Sequence, residues 1–251
     1  GTANVTAATT TILPAISAND KITPLILAGL GITQSELGML FGLLGVDTSI
    51  DQTIGIDLLS ALYRHALLAR GLRLSIEDFV NLLLLIPGGN PVTSLAQTTP
   101  LAELAAWFTK APLTISEMLL IVKGMESSGL QFAVTPNTVA AAVIEIQDSA
   151  VADKKDKVEL LQAYLQRTYN LTADQLLNEF FPELLSFSLA SPEIAKALNA
   201  TFTGNKPNTP ADLDGLFTIM KELERYTLLF NKTIADAGMI SFVISNKGAF
   251  G

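Results

Sequence analysis

Four times along this chain a hydroxyl residue is followed three positions later by Glu, Asp or Gln, with an apolar residue on either side of the quartet. They are Ile32-Thr33 to Glu36-Leu37, Leu74-Ser75 to Asp78-Phe79, Leu113-Thr114 to Glu117-Met118, and Leu171-Thr172 to Gln175-Leu176. In a helix start, the hydroxyl accepts from the backbone N–H three residues on. The acidic or amide side chain reaches back to the cap's own N–H, and the two apolar residues staple the entry; Asp is the poorest fit for the return bond. The quartets therefore predict four helix starts. Further starts are predicted where Ser or Thr precedes Pro, whose missing N–H costs nothing in a first turn: Thr99-Pro100, Thr135-Pro136, Ser191-Pro192 and Thr209-Pro210. Another is placed at Asp153.

Three of the quartets come directly after a helical pattern, over residues 54–71, 101–110 and 154–169. Joints that short fold helices back as antiparallel hairpins. The caps recur at intervals of 42, 39 and 58 residues, which is too irregular for HEAT or armadillo repeats. Breakers separate the pairs at residues 87–91, 127–129 and 203–207, and a last pair is expected at 211–235 and 239–245. No stretch combines two-residue alternation with a hairpin turn. The expectation is an all-α fold: an irregular stack of antiparallel helical hairpins, about ten helices, with residues 1–251 as a single domain and a possible sub-division into 1–129 and 130–251.

The helix over 54–71 carries Leu59, Leu62, Ala66 and Ala69 on one face and Asp57, Ser60 and Arg64 on the opposite stripe. Leu67 and Leu68 fall on or beside that polar stripe, which predicts a helix packed from two directions, as in an inner layer.

Composition narrows the chemistry. Hydrophobic residues make up 49% and charged residues 16%, mean hydropathy is +0.41, and 16 basic residues face 24 acidic ones for a net charge of −8. Such a chain is neither disordered nor a basic nucleic-acid surface. The longest run free of polar side chains, residues 37–46, is far short of the roughly 18–20 residues a membrane-spanning helix needs. There is no Cys and one His, so there is no thiolate nucleophile and no basis for a Cys- or His-built metal site. No catalytic, cofactor-binding or metal-ligating residue is assigned, and no enzyme activity is expected.

The individual candidates read as structural. His65 lies at the edge of the apolar face beside Leu58, with no orienting partner or nucleophile indicated. Glu36, Asp78 and Glu117 are caps, Pro87-Gly88-Gly89 is a helix stop, and Gly29-Leu30-Gly31 is a turn. Lys154, Lys155, Asp156 and Lys157 open a helix with a solvated face, its apolar side being Val158, Leu161 and Leu165. Trp107, Phe108, Phe180, Phe181 and Phe187 are expected in the core. With one imidazole, charge is expected to change little between pH 5 and 8 unless carboxylates are strongly shifted.

Residues 58–79 contain Leu59-Ser60-Ala61-Leu62-Tyr63-Arg64, then Leu68-Ala69, Leu72 and Leu74-Ser75. This stretch resembles the helical hairpin of the large A subunit of insecticidal toxin complexes (Tc toxins), which is related to the bacterial virulence-plasmid protein family. Residues 213–245, with Met220-Lys221-Glu222-Leu223-Glu224-Arg225-Tyr226, are similar to leucine-rich helices recurring in the same shell; together the two stretches cover about a quarter of the chain. The resemblance implies a secreted or cell-surface-associated bacterial toxin. Its A subunits form a pentamer around a helical pore, enclosed by a helical shell until a pH change lets the pore enter the host membrane. This chain lacks the family's long pore helices, β-rich receptor-binding inserts, neuraminidase-like domain and partner-docking segment, and it shows no signal peptide. Opening at Gly1-Thr2-Ala3, it reads as a piece of a larger protein.

The function expected from this resemblance is a non-catalytic shell segment without cofactors. Its partners would be the remaining segments of the parent subunit and neighbouring protomers, with no nucleic acid and no membrane insertion by the segment itself. The alternative is a module that binds a host-surface receptor or glycan in a groove between hairpins.

Overall fold

The structure, a computed structural model, describes residues 8–10, 22–46, 52–86, 91–176, 189 and 191–233. The fold is all-α and divides into two compact units, Gly1–Lys123 and Gly124–Gly251.

In the first unit the elements run β1 (Ala8–Thr10), α1 (Ile22–Leu30), α2 (Gln34–Leu43), β2 (Gln52–Ile54), α3 (Ile56–Gly71), α4 (Ile76–Leu85), α5 (Thr98–Phe108) and α6 (Ile115–Lys123). Helix α4 lies at the centre, packed against α2, α3, α5 and α6, while α1 packs on α3. Its Phe79 and Leu82 are fully buried, among Leu37, Leu40 and Phe41 of α2, Leu62 and Ala66 of α3, and Leu101 of α5. The strands β1 and β2 form an antiparallel ribbon pairing Thr9 with Thr53. No strand was expected, because these partners are distant in sequence and share no hairpin turn; the β-branched Thr9, Thr10, Thr53 and Ile54 are the only local sign.

The stapled starts form as the chemistry requires. Thr33 Oγ1 accepts from the Glu36 N–H at 3.3 Å and Glu36 Oε2 accepts from the Thr33 N–H at 2.7 Å. The same exchange occurs between Thr114 and Glu117 and between Thr172 and Gln175. At Ser75 only one half forms: the hydroxyl accepts from the Asp78 N–H at 3.0 Å, while Asp78, one methylene shorter than Glu, takes the Ser75 hydroxyl at 2.8 Å. The start at Thr99-Pro100 is corrected, since α5 begins at Thr98 and Pro100 lies within its first turn. The chain enters through a 3₁₀ turn at Leu95–Gln97, where Gln97 Oε1 accepts from the Thr93 and Ser94 N–H groups at 2.8 and 3.0 Å. Ser94-Leu95-Ala96-Gln97 was a capping box without apolar flanks, and so without a staple.

Helix α3 meets the two-sided expectation only in part. It buries Leu62, His65, Ala66 and Ala69, and Leu68 is partly buried against the same core, whereas Leu59 and Leu67 are 39% and 48% exposed. Its last turn ties α1 down: the Arg70 guanidinium donates to the Leu30 carbonyl at 2.7 Å, at the helix end where Gly31 takes φ +64°.

The second unit contains α7 (Pro136–Asp153), α8 (Lys157–Tyr169), α9 (Pro192–Leu198), a two-stranded ribbon of β3 (Phe202–Thr203) and β4 (Lys206–Pro207), and α10 (Asp214–Thr233). The helix opened by Thr172 is described only as far as Leu176. Asp153 ends α7 instead of starting a helix; Lys154 follows at φ +55°, and Asp156 caps α8 by accepting from the Val158 and Glu159 N–H groups. Thr135 and Ser191 cap α7 and α9 with Pro in the first turn, and Thr209-Pro210 opens a 3₁₀ turn just before α10. The core joins Val139, Val143 and Ile146 of α7, Leu161 and Leu165 of α8, Ile194 of α9, and Leu216, Ile219 and Leu223 of α10. The expected helix at 239–245, the stop at Pro87-Gly88-Gly89, and Phe180, Phe181 and Phe187 lie outside the described residues.

Candidate functional site

His65 is the residue whose surroundings are most specialised. Placed by α3 at 0% exposure, its ring has a hydrogen bond at each nitrogen. The Val92 N–H donates to Nε2 at 3.0 Å. Nε2 is therefore unprotonated, the proton sits on Nδ1, and Nδ1 donates to the Ala61 carbonyl at 2.7 Å. Phe79 of α4 presents its ring at a centroid distance of 6.1 Å and 63°. Burial holds the imidazole pKa below its ordinary value; the Ala61 carbonyl opposes that shift and the neighbouring Arg64 charge adds to it. The neutral imidazole, fixed in one tautomer, fastens the main chain at Val92 to α3.

On the flank beside its buried face, α3 carries Ile56, Leu59, Tyr63 and Leu67 at spacings of three, four and four residues, so they form one outward stripe, with Ile56 70% and Tyr63 56% exposed. The expected apolar face was thus right for Leu62, Ala66 and Ala69 and wrong for Leu59. Trp107, expected in the core, is half exposed and sets its ring edge-on to the partly buried Phe108 at 4.9 Å.

In the second unit, Glu224 of α10 accepts from two consecutive main-chain donors, Ala133 N–H at 2.8 Å and Val134 N–H at 3.1 Å, pinning the chain ahead of α7. Lys221 lies 4.0 Å from the centroid of the Phe132 ring. The lysine run is not only a solvated face: Lys157 Nζ donates to the Leu198 carbonyl and to Asn199 Oδ1, both at 2.9 Å, and Gln147 donates to the Leu198 and Ala200 carbonyls. These side chains satisfy the carbonyls at the end of α9. Burial pushes the Tyr169 hydroxyl far above its ordinary pKa, and that hydroxyl donates to the Met220 carbonyl at 2.8 Å.

A shallow groove between α7 and α8, about 150 Å³, is lined by Glu145, Ser149, Asp153, Tyr164 and Arg167 among others. Its Arg167–Glu145 ion pair at 2.8 Å is solvent-exposed, and Tyr164 is its only aromatic. Among the described residues, no three or more His, Asp or Glu side chains are grouped to hold a metal ion. No single described helix is long and apolar enough to cross a membrane; α1 and α2, bent by 87°, meet the length and hydropathy requirement only as a pair. Glu36, Asp78 and Glu117 are each engaged at a helix start. No protein-family model matches the chain, and neither does any curated protein.

Proposed function

We propose that this chain is a non-catalytic helical shell segment of a Tc-like toxin A subunit, which helps enclose the translocation pore by packing against neighbouring segments and protomers. The observation that carries the reading is the outward stripe Ile56, Leu59, Tyr63 and Leu67. It lies on the helix whose sequence resembles the A subunit, and two of its members, Leu59 and Tyr63, belong to the matching pattern. Apolar side chains aligned along one helix face gain about 25 cal/mol per Å² when a partner covers them, and a row of four suits a helix-on-helix contact better than a small-molecule pocket. A groove lined by several aromatics would favour the receptor-binding alternative, and the groove between α7 and α8 offers only Tyr164.

The test is a cryo-EM structure of the full polypeptide containing this chain, with a Leu67→Asp variant beside it. The expected result is a ring of five copies around a pore, the α3 stripe covered, and a variant that folds but assembles poorly. A full polypeptide that stays monomeric, or an assembly in which the stripe faces solvent, refutes the proposal.

A further inference from the structure

We propose that His65 is an acid-released latch: its neutral ring fastens residues 91–94 to α3, and protonation unfastens them. The geometry permits one charge state only. The bond from the Val92 N–H needs a lone pair on Nε2, and Nδ1 carries the ring's one proton, donating it in a hydrogen bond to the Ala61 carbonyl. A proton added at Nε2 sets two donors head to head and turns the Val92 N–H, on a residue only 2% exposed, into a buried donor without an acceptor.

Among the described residues, the groups facing the ring offer no compensation. On α3 the charged neighbour is Arg64, of the same sign as an imidazolium. From α4 the ring meets Phe79, and the acidic residues of that helix, Glu77 and Asp78, lie in its first turn, where Asp78 is engaged by Ser75. Residues 91–94, Pro-Val-Thr-Ser, bring no charged side chain, and α1, which packs on α3, carries none.

The direction with pH follows. The folded ring binds a proton less readily than the free side chain, whose pKa is about 6.5. Protons therefore accumulate on the opened form first. The latch is at full strength above pH 6.5 and weakens as pH falls below it. The released segment leads straight into the 3₁₀ turn and α5, where Gln97 supplies a second, pH-insensitive pin on Thr93 and Ser94. Acid thus frees the entry to α5 at its first residues without dissolving the capped turn. A chain with a single imidazole can respond between pH 5 and 7 without shifted carboxylates, because that imidazole holds main chain.

The experiment follows exchange of the Val92 amide in the full chain by NMR, corrected for intrinsic rates, at pH 7.5 and 5.5, together with the imidazole titration. The expected loss of protection in the wild type is about tenfold over that interval. His65→Gln can accept the Val92 N–H and donate to the Ala61 carbonyl without titrating, and its protection should stay level. Wild-type protection that does not change, a His65→Gln variant that loses protection in parallel, or an imidazole that titrates at or above 6.5 overturns the proposal. The wild-type titration alone decides the matter should the variant not fold.

Discussion

Adding one methyl group at two glycines should change stability in opposite directions. A Cβ built on Gly215, in the first turn of α10, falls 2.6 Å from the Glu193 Cβ and 3.5 Å from its Cα. The nearer atom is fixed to the backbone of α9 and cannot swing aside, so α9 and α10 must part by about 1 Å, an overpacking strain that costs about 1–3 kcal/mol. Against this stands the better helix propensity of Ala, worth at most about 1 kcal/mol and less in a first turn. The clash wins, and Gly215→Ala should destabilise by about 1–2 kcal/mol. Gly38, mid-helix in α2, has nothing within 4 Å of the added atom, so Gly38→Ala should stabilise by about 0.5–1 kcal/mol. Urea unfolding separates the two effects, because the one tryptophan, Trp107, lies in the first unit and far-UV circular dichroism reports both. The Trp107 transition should move to higher urea in Gly38→Ala, and the dichroism transition to lower urea in Gly215→Ala. Removing the opposing Cβ with Glu193→Gly should cost less in the Gly215→Ala background than in the wild type. A Gly215→Ala chain as stable as the wild type, or additive effects in the double variant, would refute the close approach of α9 to α10.

Leu62→Ala should lower stability by about 2–5 kcal/mol, read from the Trp107 transition, since the side chain is fully buried against α4. An unmoved transition would show that this face of α3 is wrongly placed. Glu224→Ala leaves the exposed Ala133 N–H to water and strands the buried Val134 N–H, and should cost about 1–2 kcal/mol, with Glu224→Gln losing less because its oxygen still accepts. Exchange protection at both amides checks this site directly. Tyr169, whose pKa is raised by burial, contributes stability that is complete below about pH 10 and is lost as pH rises beyond it. Its ionisation, followed by absorbance near 295 nm, should coincide with unfolding and not precede it.

What the sequence revealed about this fold depends on how far apart in the chain the interacting groups lie. A capping box is complete within one turn, and Thr33, Thr114 and Thr172 could therefore be placed with their return partners; even the weaker exchange at Ser75 followed from the length of an Asp side chain. Near Asp153 the local signals conflicted: acidic residues at 153 and 156 are equally good caps, and the left-handed Lys154 between them decided in favour of Asp156. On α3 the periodicity found Leu62, Ala66 and Ala69 but misplaced Leu59, because a helix with more apolar residues than one face can bury does not state which of them are left outside. The least legible features are side chains that reach main chain: Arg70 on the Leu30 carbonyl, Glu224 on two amides some ninety residues away, and His65 on the Val92 N–H. A side-chain partner leaves a residue type to search for, whereas a main-chain partner is supplied by almost any residue. The lone histidine could thus be singled out in the sequence and placed at the edge of the apolar face of α3, but the main-chain amide that it holds is recorded by no composition or spacing.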